Sequence, residues 1–448
     1  MSAPFWIATP LPAQPEGEQR IVAPGPGGNP FYRPSPSRGR WPRGFGRRPR
    51  RRSEPGALRN DFLVRSLSVE HMDDPAESRP FAESWSELAL RALEPNAFFE
   101  PGFALSAARH FPVKSRPQFI AVWAPQHEES GERRLIGLFP LAPSGPMGGG
   151  RLASLWLNKQ AALASPLLDR DFAEQAVESF LDWLGANGPV AGVMFPRLVN
   201  GGPVHKAIIE AARRTGRTVA ILDEFERAMM SPGSDADALW LRGASKKALK
   251  DLHRRQRRLA EIGKVTFSLV SSPQEVRAET ERFLALEASG WKGASGAFLT
   301  HPSLTTFVRS ATRLLAKEGK CRIASLSLDG RPLAMGVLIE SQKRAYFWKI
   351  AFDESFRAQA PGIHLVHELT RALAARGDLE MTDSCAIANH PMIDRLWPDR
   401  LPICDIAVQT RLERTSAFHA SCRVEARGRG LRAFAKRAVK RLLGRKES

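Results

Sequence analysis

The residues with the clearest chemical potential lie where a predicted strand meets a predicted helix, in the segment Tyr346–Glu368, YFWKIAFDESFRAQAPGIHLVHE. Pro361 suits the first position of a helix, because its missing N–H would be unpaired there anyway. Gly362 lets a ligand approach the backbone closely. Four N–H groups are then expected to point out of the helix end, those of Gly362, Ile363, His364 and Leu365. Together with the helix dipole they would attract an anion such as a pyrophosphate.

Two other arrangements of reactive residues predict no metal site. His364 and Glu368 are four residues apart on the predicted helix, which matches half a metal motif, but no third ligand has supporting spacing. We therefore expect a pair on the helix surface. The four cysteines lack zinc-knuckle spacing, and without a secretory signal we expect reduced thiols that pack as small hydrophobic groups.

The elements that position these residues follow one order twice along the chain. A strand, helices, antiparallel strands, a helix, a strand, a helix and a final strand occur in each half. In the second half, Cys321–Leu328 and Leu333–Ile339 are joined by an Asp-Gly turn, which is typical of a hairpin. We expect two α/β halves in tandem, each a mixed, mostly antiparallel sheet flanked by helices. The predicted boundaries are 59–235 and 236–420.

The net charge of +19 is concentrated outside these halves. Residues 1–60 and 423–448 carry +8 each, which leaves about +3 for the rest of the chain. Tails of this kind bind anionic surfaces with strong salt dependence. We therefore do not expect specific nucleic-acid binding by a folded face.

The two tails differ in kind. Residues 1–58 are rich in Pro, Gly, Ser and Arg and are predicted to be disordered. Residues 421–448 predict a basic amphipathic helix whose apolar stripe includes Leu431 and Phe434. This stripe could lie on an anionic membrane or dock onto the protein's own body, and both alternatives stay open. Without a signal peptide or a long apolar run, a cytoplasmic location is expected, and attachment at the inner membrane face is left open.

The segment Arg357-Ala-Gln-Ala360-Pro-Gly362 is similar to the acyl-CoA loop of the GNAT N-acetyltransferases, Gln/Arg-x-x-Gly-x-Gly/Ala, with Ala360 in place of the middle glycine. The surrounding WKIAFDESFRAQAPG resembles the CelD-type acetyltransferases, which are associated with cellulose and exopolysaccharide synthesis and relate to the FemAB-like double-GNAT group. Further agreement lies in Glu287-x-x-Gly290-Trp291-Lys292-Gly293. The resemblance spans about residues 62–410.

The resemblance implies a bound acyl-CoA, with acetyl-CoA as the first candidate, and no metal. The pantetheine arm would lie between two splayed strands, Ala345–Ala351 and Leu379–Ser384. The implied donor-binding residues are Ile350, Arg357, Ala360, Gly362, Ile363, His364 and Leu365. The first half lacks the glycine loop at 164–172, so donor binding is expected in the second half only.

Acyl transfer from a thioester requires a deprotonated acceptor, a polarised carbonyl and a proton for the thiolate. Asp383 and His390, in TDSCAIANHP, are the candidates for the general base, and Lys349 is a further catalytic candidate. A capping or turn role for Asp383 is an equal alternative. The acceptor is expected to contact Trp291, Lys292 and Trp348, although core packing competes as the role of Trp291.

Three functional hypotheses remain open from the sequence. The first is an acyl-CoA-dependent N- or O-acyltransferase that modifies a sugar, a polysaccharide or a cell-envelope precursor. The second is an aminoacyltransferase of the FemAB-like kind, whose donor is charged tRNA. The third is a scaffold without catalysis, bound to a membrane in an exopolysaccharide assembly. A basic helix predicted at 245–262 could serve any anionic partner.

Overall fold

The computed structural model describes residues 31–32, 67–72, 79–125, 133–143, 152–231, 233, 235–290 and 296–444. Trp291 and Lys292, which were predicted to contact the acceptor, lie outside the described residues, as does most of the predicted N-terminal tail. Among the helices in these ranges, none combines the length and apolarity that crossing a bilayer requires.

The chain alternates strands with helices throughout. The strands are β1 (Phe31–Tyr32), β2 (Ser68–Met72), β3 (Gln118–Pro125), β4 (Arg133–Leu141), β5 (Leu152–Ser154), β6 (Leu167–Leu168), β7 (Gly192–Val199), β8 (Val219–Met230), β9 (Val265–Val270), β10 (Cys321–Leu328), β11 (Arg331–Ser341), β12 (Arg344–Phe352), β13 (Met381–Asp383) and β14 (Asp399–Gln409). The helices are α1 (Arg79–Arg91), α2 (Pro101–His110), α3 (Ala173–Asn187), α4 (Pro203–Arg214), α5 (Ala236–Gly243), α6 (Lys246–Ile262), α7 (Pro273–Ser289), α8 (Pro302–Lys317), α9 (Pro361–Ala374), α10 (Ile393–Leu396) and α11 (Thr415–Gly444). Short 3₁₀ turns occur at Ala97–Phe99, Val113–Ser115, Phe298–Thr300, Glu354–Gln359 and Leu412–Arg414.

Contacts divide the described chain into two compact units, and each unit is built from segments that are not continuous in sequence. The first unit contains 97–116 and 225–403, and the second contains 30–96, 117–224 and 404–448. The predicted halves, 59–235 and 236–420, differ from these units in three segments, of which 225–235 belongs with the later half. Residues 97–116 pack with the later half, and residues after 403 pack with the earlier half.

The first unit is built on the sheet order β9-β10-β11-β12-β13. The pairs from β9 to β12 are antiparallel, and β13 is parallel to β12. Strands β11 and β12 are buried along most of their length, since helices α7, α8 and α9 pack against this sheet. The helix α2 joins them by packing on α8.

The second unit contains a four-stranded sheet with the order β2-β3-β4-β6, all antiparallel. Its remaining strands follow the order β5-β7-β14-β8. The amphipathic helix α3 packs on β3 and β4, where Phe180 stacks on Phe139 with ring centroids 4.0 Å apart. The start of α11 closes the unit through Phe418 and Cys422, which are buried with Ala191, Ala220 and Ala407.

The two units share a layout. Along the chain an edge strand precedes two helices in both cases, although α2 packs with the first unit, and a hairpin of long strands and a further antiparallel strand then lead into a helix. The orders β2-β3-β4-β6 and β9-β10-β11-β12 correspond strand by strand. The predicted fold class, a tandem pair of mixed α/β domains with a helical C-terminal segment, is confirmed. The counterpart of β12 in the second unit, β6, is only two residues long.

Candidate functional site

The predicted gap between diverging strands is present in the first unit. Strand β12 pairs with β13 only at Arg344↔Met381, Ala345↔Thr382 and Tyr346↔Asp383. Beyond these pairs β12 continues to Phe352, so it separates from the chain that follows β13. The opening holds a cavity of about 40 Å³. Its lining includes Phe347–Ile350 from one strand and Ser384, Cys385, Ala386 and His390 from the other side.

A β-bulge lies in β12 at this gap. Val337 faces Lys349 and Leu338 faces Phe347, so one extra residue, Trp348, is inserted in β12. Bulges bend a strand and redirect its side chains. The Trp348 side chain is buried and packs edge to face on Phe103 and Phe307. Trp348 therefore belongs to an aromatic core and also lines the cavity, and its contact with the acceptor stays a prediction.

Lys349 and Ile350, the residues after the bulge, connect the gap to the predicted donor turn. The Lys349 ammonium lies 5.6 Å from the Phe298 ring centroid and 5.4 Å from the Trp348 ring centroid, within cation–π distance. Both residues line the cavity. The Ile350 side chain also approaches Gly362, with 3.7 Å from its Cδ1 to an ideal Cβ built on the glycine. The gap and the helix start are thus neighbours.

The turn before α9 contains a residue with a left-handed backbone, at the position where the acyl-CoA loop pattern has its middle glycine. Asp353 caps the 3₁₀ turn through the Ser355 N–H, 2.9 Å away. Ala360, which replaces the middle glycine of that pattern, adopts the left-handed region with φ 54° and ψ 51°. L-residues other than Asn and Asp visit this region at a cost of about 1–2 kcal/mol. Arg357 is exposed on the same turn, so its cation is accessible to an anion.

The number of open N–H groups at this helix start is smaller than the sequence predicted. The N–H groups of Ile363 and His364 both donate to the carbonyl of Ala360, at 3.0 and 3.3 Å. Only the amides up to the third helical position lack an acceptor within the helix, and Leu365 lies two positions further along. The prediction of open amides was therefore wrong for His364 and Leu365. Among the described residues the Gly362 N–H has no backbone acceptor, so we call it open, and that of Ile363 is held in a short-range bond.

The glycine at 362 has room beside it. A Cβ at this position would meet only the side chains of Ile350 and Phe352, at 3.7 Å, which is ordinary van der Waals contact. Packing in the structure as described therefore does not demand a glycine here.

Asp383 is occupied by structural contacts. Its side chain is fully buried, with one carboxylate oxygen 2.5 Å from Arg227 Nη2 and the other accepting the Cys385 N–H at 2.8 Å. Arg227, at 1% exposure, is itself buried. A carboxylate engaged in this way favours the structural alternative over a general base.

His390 is the titratable candidate that lines the gap. Its Nδ1 accepts the N–H groups of Met392 and Ile393, both at 3.3 Å, at the start of α10. Burial lowers the pKa of His390, so the neutral imidazole is favoured at neutral pH. Because Nδ1 accepts, the proton of the neutral ring resides on Nε2. The structure thus favours His390 as a hydrogen-bond donor over a proton acceptor.

His364 lies inside the fold and not on a helix surface as the sequence predicted. Its side chain is 1% exposed, and burial lowers its pKa to about 4. The helix α9 places it one turn before His367, which is also buried. The expectation of an exposed His364–Glu368 pair was therefore wrong.

The basic helix α6 reaches the predicted donor turn. Arg255 Nη1 donates to the carbonyl of Ala358 at 2.6 Å. Five further basic side chains of α6 are exposed, those of Lys246, Lys247, Lys250, Arg257 and Arg258. This face gives a positive potential beside the turn, although pairing with Asp251 offsets the charges of Arg254 and Arg255.

A larger cavity, of about 790 Å³, lies in the second unit at the starts of α3 and α4. Its lining mixes Arg170 and Lys206 with Glu174 and Glu210. The buried Glu94 carboxylate already accepts the Val204 N–H of α4 at 3.2 Å. A helix start occupied by a carboxylate is poorly suited to a second anion. This agrees with the expectation that donor binding belongs to the other unit.

Reasoning from sequence missed Arg227 and Cys385. Arg227 lies in β8 within DEFERAMM, where three neighbouring acidic residues give no sign that the arginine is buried. Cys385 lines the gap with a left-handed backbone, φ 55°, and a lone cysteine carries no spacing signal. Both positions depend on strand register, which the sequence pattern did not specify.

Comparison with solved structures finds proteins that align with about three quarters of this chain. FemX aligns over 76% of this chain and 96% of its own, with 10% identity and a TM-score of 0.49. The C-terminal domain (DUF2156) of a putative lysylphosphatidylglycerol synthetase from Agrobacterium fabrum aligns over 75% and 94%, with 16% identity and a TM-score of 0.44. A tandem GNAT protein from the clavulanic acid biosynthesis pathway aligns over 77% and 99%, with 14% identity and a TM-score of 0.36. Likeness at this level says nothing about the substrate.

Comparison with curated proteins finds no match. A family model matches residues 246–390, which contain α6, the hairpin β11–β12, the splayed gap, the turn at Ala360 and His390. Its description is acetyltransferase (GNAT) domain. Residues 246–390 are thus similar to a GNAT acetyltransferase domain.

Proposed function

We propose that the first unit transfers an acyl group, with acetyl as the first candidate, from acyl-CoA to an acceptor at the gap between β12 and β13. The observation that carries the proposal is the position of the gap, which opens beside the turn Ala360–Gly362. Three features near this turn would hold a diphosphate. The Gly362 N–H would donate a hydrogen bond, and the exposed Arg357 and the basic face of α6 would supply positive charge. The gap beyond Tyr346 would receive the pantetheine arm.

The chemistry asks little of the protein beyond placement. The acceptor attacks the thioester carbon and gives up its proton to water, which forms a tetrahedral oxyanion. Collapse of this intermediate breaks the C–S bond, and the CoA thiolate leaves and takes a proton from solvent. A hydrogen-bond donor within reach of the oxyanion lowers the barrier, and we assign that role to the Nε2–H of His390. Lys349 also lines the gap, and its ammonium would stabilise the developing negative charge.

Binding of the donor tests the proposal. Acetyl-CoA should raise the melting temperature of the full chain, and Gly362→Arg should abolish the shift, because the side chain would fill the approach to the open N–H. Gly377→Arg is the matched control, since Gly377 is exposed and a Cβ there meets nothing within 4 Å. Gly362→Ala, which the packing tolerates, should keep the fold and weaken binding. Equal CoA affinity in Gly362→Arg and the wild type contradicts the proposal.

The role of His390 is tested by two isosteric replacements. The amide nitrogen of glutamine matches the Nε2 position, and that of asparagine matches Nδ1. His390→Gln should retain a substantial part of kcat, while His390→Asn and His390→Ala should each lose about 10²–10³-fold, as removal of one oxyanion donor does. Equal losses in the glutamine and alanine variants would contradict a donor role and return His390 to the general-base hypothesis.

The acceptor we propose, a carbohydrate or cell-envelope precursor, rests on the resemblance of WKIAFDESFRAQAPG to CelD-type sequences. Transfer of ¹⁴C-acetyl to sugar nucleotides and polysaccharide fragments tests it. Binding of acetyl-CoA without acylation of any of these compounds would support the proposed donor and contradict the proposed acceptor. A protein that neither binds CoA nor catalyses acyl transfer would favour the scaffold hypothesis.

Aminoacyl transfer from charged tRNA is the second candidate, and the exposed basic face of α6 beside the turn favours it. Charged tRNA should then raise the melting temperature and compete with acetyl-CoA. Charge reversal at Arg257 and Arg258 separates the two donors. It should weaken tRNA binding far more than CoA binding, because only tRNA covers the length of the helix.

We propose further that the end of α11 attaches the protein to an anionic membrane. The helix is held to its unit up to Arg429, whose guanidinium lies 2.5 Å from Asp405. Beyond that contact Leu431 and Phe434 are 70% and 72% exposed, in a segment rich in Lys and Arg. Truncation after Gly430 retains the Arg429–Asp405 contact but removes the exposed apolar residues, so it should abolish binding to phosphatidylglycerol vesicles at low salt. Unchanged vesicle binding overturns this attachment, and phosphatidylcholine vesicles are the control.

A further inference from the structure

Three potential metal ligands from three helices meet in the first unit. Asp237 lies on α5, His253 on α6 and His367 on α9, and one ligand atom from each lies within 4.8 Å of the other two. The spacing along the sequence gives no sign of this, since the ligands are 16 and 114 residues apart. The cluster lies away from the residues lining the gap, and the proposed acyl transfer does not use it.

The contacts of His367 identify a ring that hydrogen bonding alone does not satisfy. Its side chain is 1% exposed, and its Nε2 lies 2.7 Å from Asp237 Oδ1. Its Nδ1 is buried and makes no hydrogen bond within the described chain, and Glu368 Oε1 is 3.8 Å away. If a neutral ring donates from Nε2 to Asp237, its Nδ1 lone pair faces a carboxylate, which is unfavourable.

A metal ion removes this conflict. When Nε2 is a ligand, Nδ1 carries the proton and points it toward the Glu368 carboxylate, the usual support of a metal-bound histidine. Two imidazoles and one carboxylate suit Zn²⁺, with water at the fourth position. Bonds of about 2.0 Å place tetrahedral ligand atoms about 3.3 Å apart, so adjustments of side chains suffice.

We propose that Asp237, His253 and His367 bind one divalent transition-metal ion, with Zn²⁺ as the fitting choice, and that Glu368 supports His367 from behind. The ion would fasten α5 and α6 to α9, the helix that begins at the turn Ala360–Gly362. Arg255 of α6 already bonds the carbonyl of Ala358 on this turn, so the ion and Arg255 would fix it from two directions.

Arg371 is the charged neighbour that competes with the ion. Its Nη2 lies 3.3 Å from Asp237 Oδ1, and its Nη1 lies 3.2 Å from Glu368 Oε1. A divalent ion and this guanidinium attract the same carboxylates, so removal of the guanidinium should tighten metal binding. A structural network of ion pairs alone predicts only a loss of stability on the same change.

Metal content and affinity test the proposal without an activity assay. Tag-free full-length protein, purified without added metal, is analysed by elemental mass spectrometry, and chelator-treated protein is then titrated with Zn²⁺ and Co²⁺. We expect one ion per chain, an increase in the melting temperature and the intense visible absorption of tetrahedral Co²⁺. Because ligands must be deprotonated, the affinity should fall as the pH is lowered.

The variants separate a metal site from a hydrogen-bond cluster. His253→Gln and Asp237→Asn should abolish the Co²⁺ absorption, and Glu368→Gln should weaken affinity about 10–100-fold as a supporting residue does. Arg371→Gln should strengthen it, and His301→Gln, at an exposed histidine elsewhere in the unit, should leave it unchanged. Absence of stoichiometric metal, or equal affinity in wild type and His253→Gln, overturns the proposal and leaves a hydrogen-bonded cluster.

Discussion

The carboxylate of Asp383 lies where a general base would be useful, but its contact with the buried Arg227 favours a structural role. Asp383 ends β13 beside the proposed acyl-transfer gap, a position in which a base would be useful. Yet one of its oxygens lies against a buried guanidinium and the other accepts a backbone N–H. Such contacts fix the turn that leads to Ser384 and Cys385 at the gap.

Replacement of this carboxylate separates the two roles. Asp383→Asn should lower the free energy of unfolding by about 3–5 kcal/mol, because it leaves the Arg227 charge buried and uncompensated. The shift in the urea midpoint of the full chain measures it. Asp378→Asn, at an exposed carboxylate paired with Arg376, should cost less than about 1 kcal/mol. Normal stability with lost turnover in Asp383→Asn would restore the general-base role.

The buried His364 makes stability depend on pH. Its pKa is about 4 in the folded protein against an ordinary value of 6.5, so the unfolded chain binds the proton more tightly. The contribution of this histidine is therefore complete above pH 6.5 and is lost as the pH falls toward 4. At pH 5 the loss amounts to about 2 kcal/mol.

Replacement of His364 by leucine should remove this dependence. The difference in urea midpoint between pH 7 and pH 5 should be smaller in His364→Leu than in the wild type. His301→Leu, at an exposed position, should retain the full wild-type difference. An unchanged pH dependence in His364→Leu would mean that other groups govern acid unfolding.

At the scale of elements, the turn into α9 carries a strained residue. Ala360 occupies the left-handed region, where glycine pays no steric penalty. Ala360→Gly should raise the free energy of unfolding by about 1 kcal/mol and leave acetyl-CoA affinity intact. Ala358→Gly, in the preceding 3₁₀ turn, is the control and should not raise the free energy of unfolding. A loss of stability in Ala360→Gly would show that the native conformation there is not strained.

Most elements were predictable from sequence because their hydrophobic periods are regular. Strand β10 was predicted with the observed bounds, and α6 within one residue at each end. The hairpin between β10 and β11 followed from its Asp-Gly turn. Helix α5 was missed, since ADALWLRG is too short to show a helical period.

The candidate site was predictable only where local backbone chemistry determines it. The helix start at Pro361 and the splayed strands were found, but the pattern did not reveal which amides are open. That count depends on the αL residue Ala360, whose carbonyl takes both the Ile363 and His364 N–H groups. The bulge at Trp348 and the burial of Asp383 depend on strand register and tertiary packing, which single-sequence periodicity does not encode.

At the scale of the molecule, the boundary of a folding unit is not a boundary in sequence. Residues 97–116 belong with 225–403, and their aromatic side chains are part of that core. Phe98 packs on Tyr346 with ring centroids 5.5 Å apart, and Phe103 packs on Phe307 at 5.2 Å. The matched GNAT segment therefore lacks part of its own core when it is separated from residues 97–116.

Expression of the isolated segment 225–403 tests this arrangement. The segment alone should aggregate or lack near-ultraviolet dichroism, because removal of Phe98 and Phe103 opens a cavity at Tyr346 and Trp348. The same segment preceded by residues 97–116 and a flexible linker should be monodisperse with a native-like spectrum. A well-folded 225–403 would show that the earlier segment is dispensable.

The exchange of segments has a consequence for the newborn protein. Residues 97–116 leave the ribosome long before Phe307 and Tyr346, the aromatic residues they pack against, have been synthesised. At about 5–20 residues per second, the delay is roughly ten seconds or more. During this interval Phe98, Phe99 and Phe103 are exposed on an unfinished chain, which makes this stretch a natural ligand for a chaperone that holds nascent polypeptides.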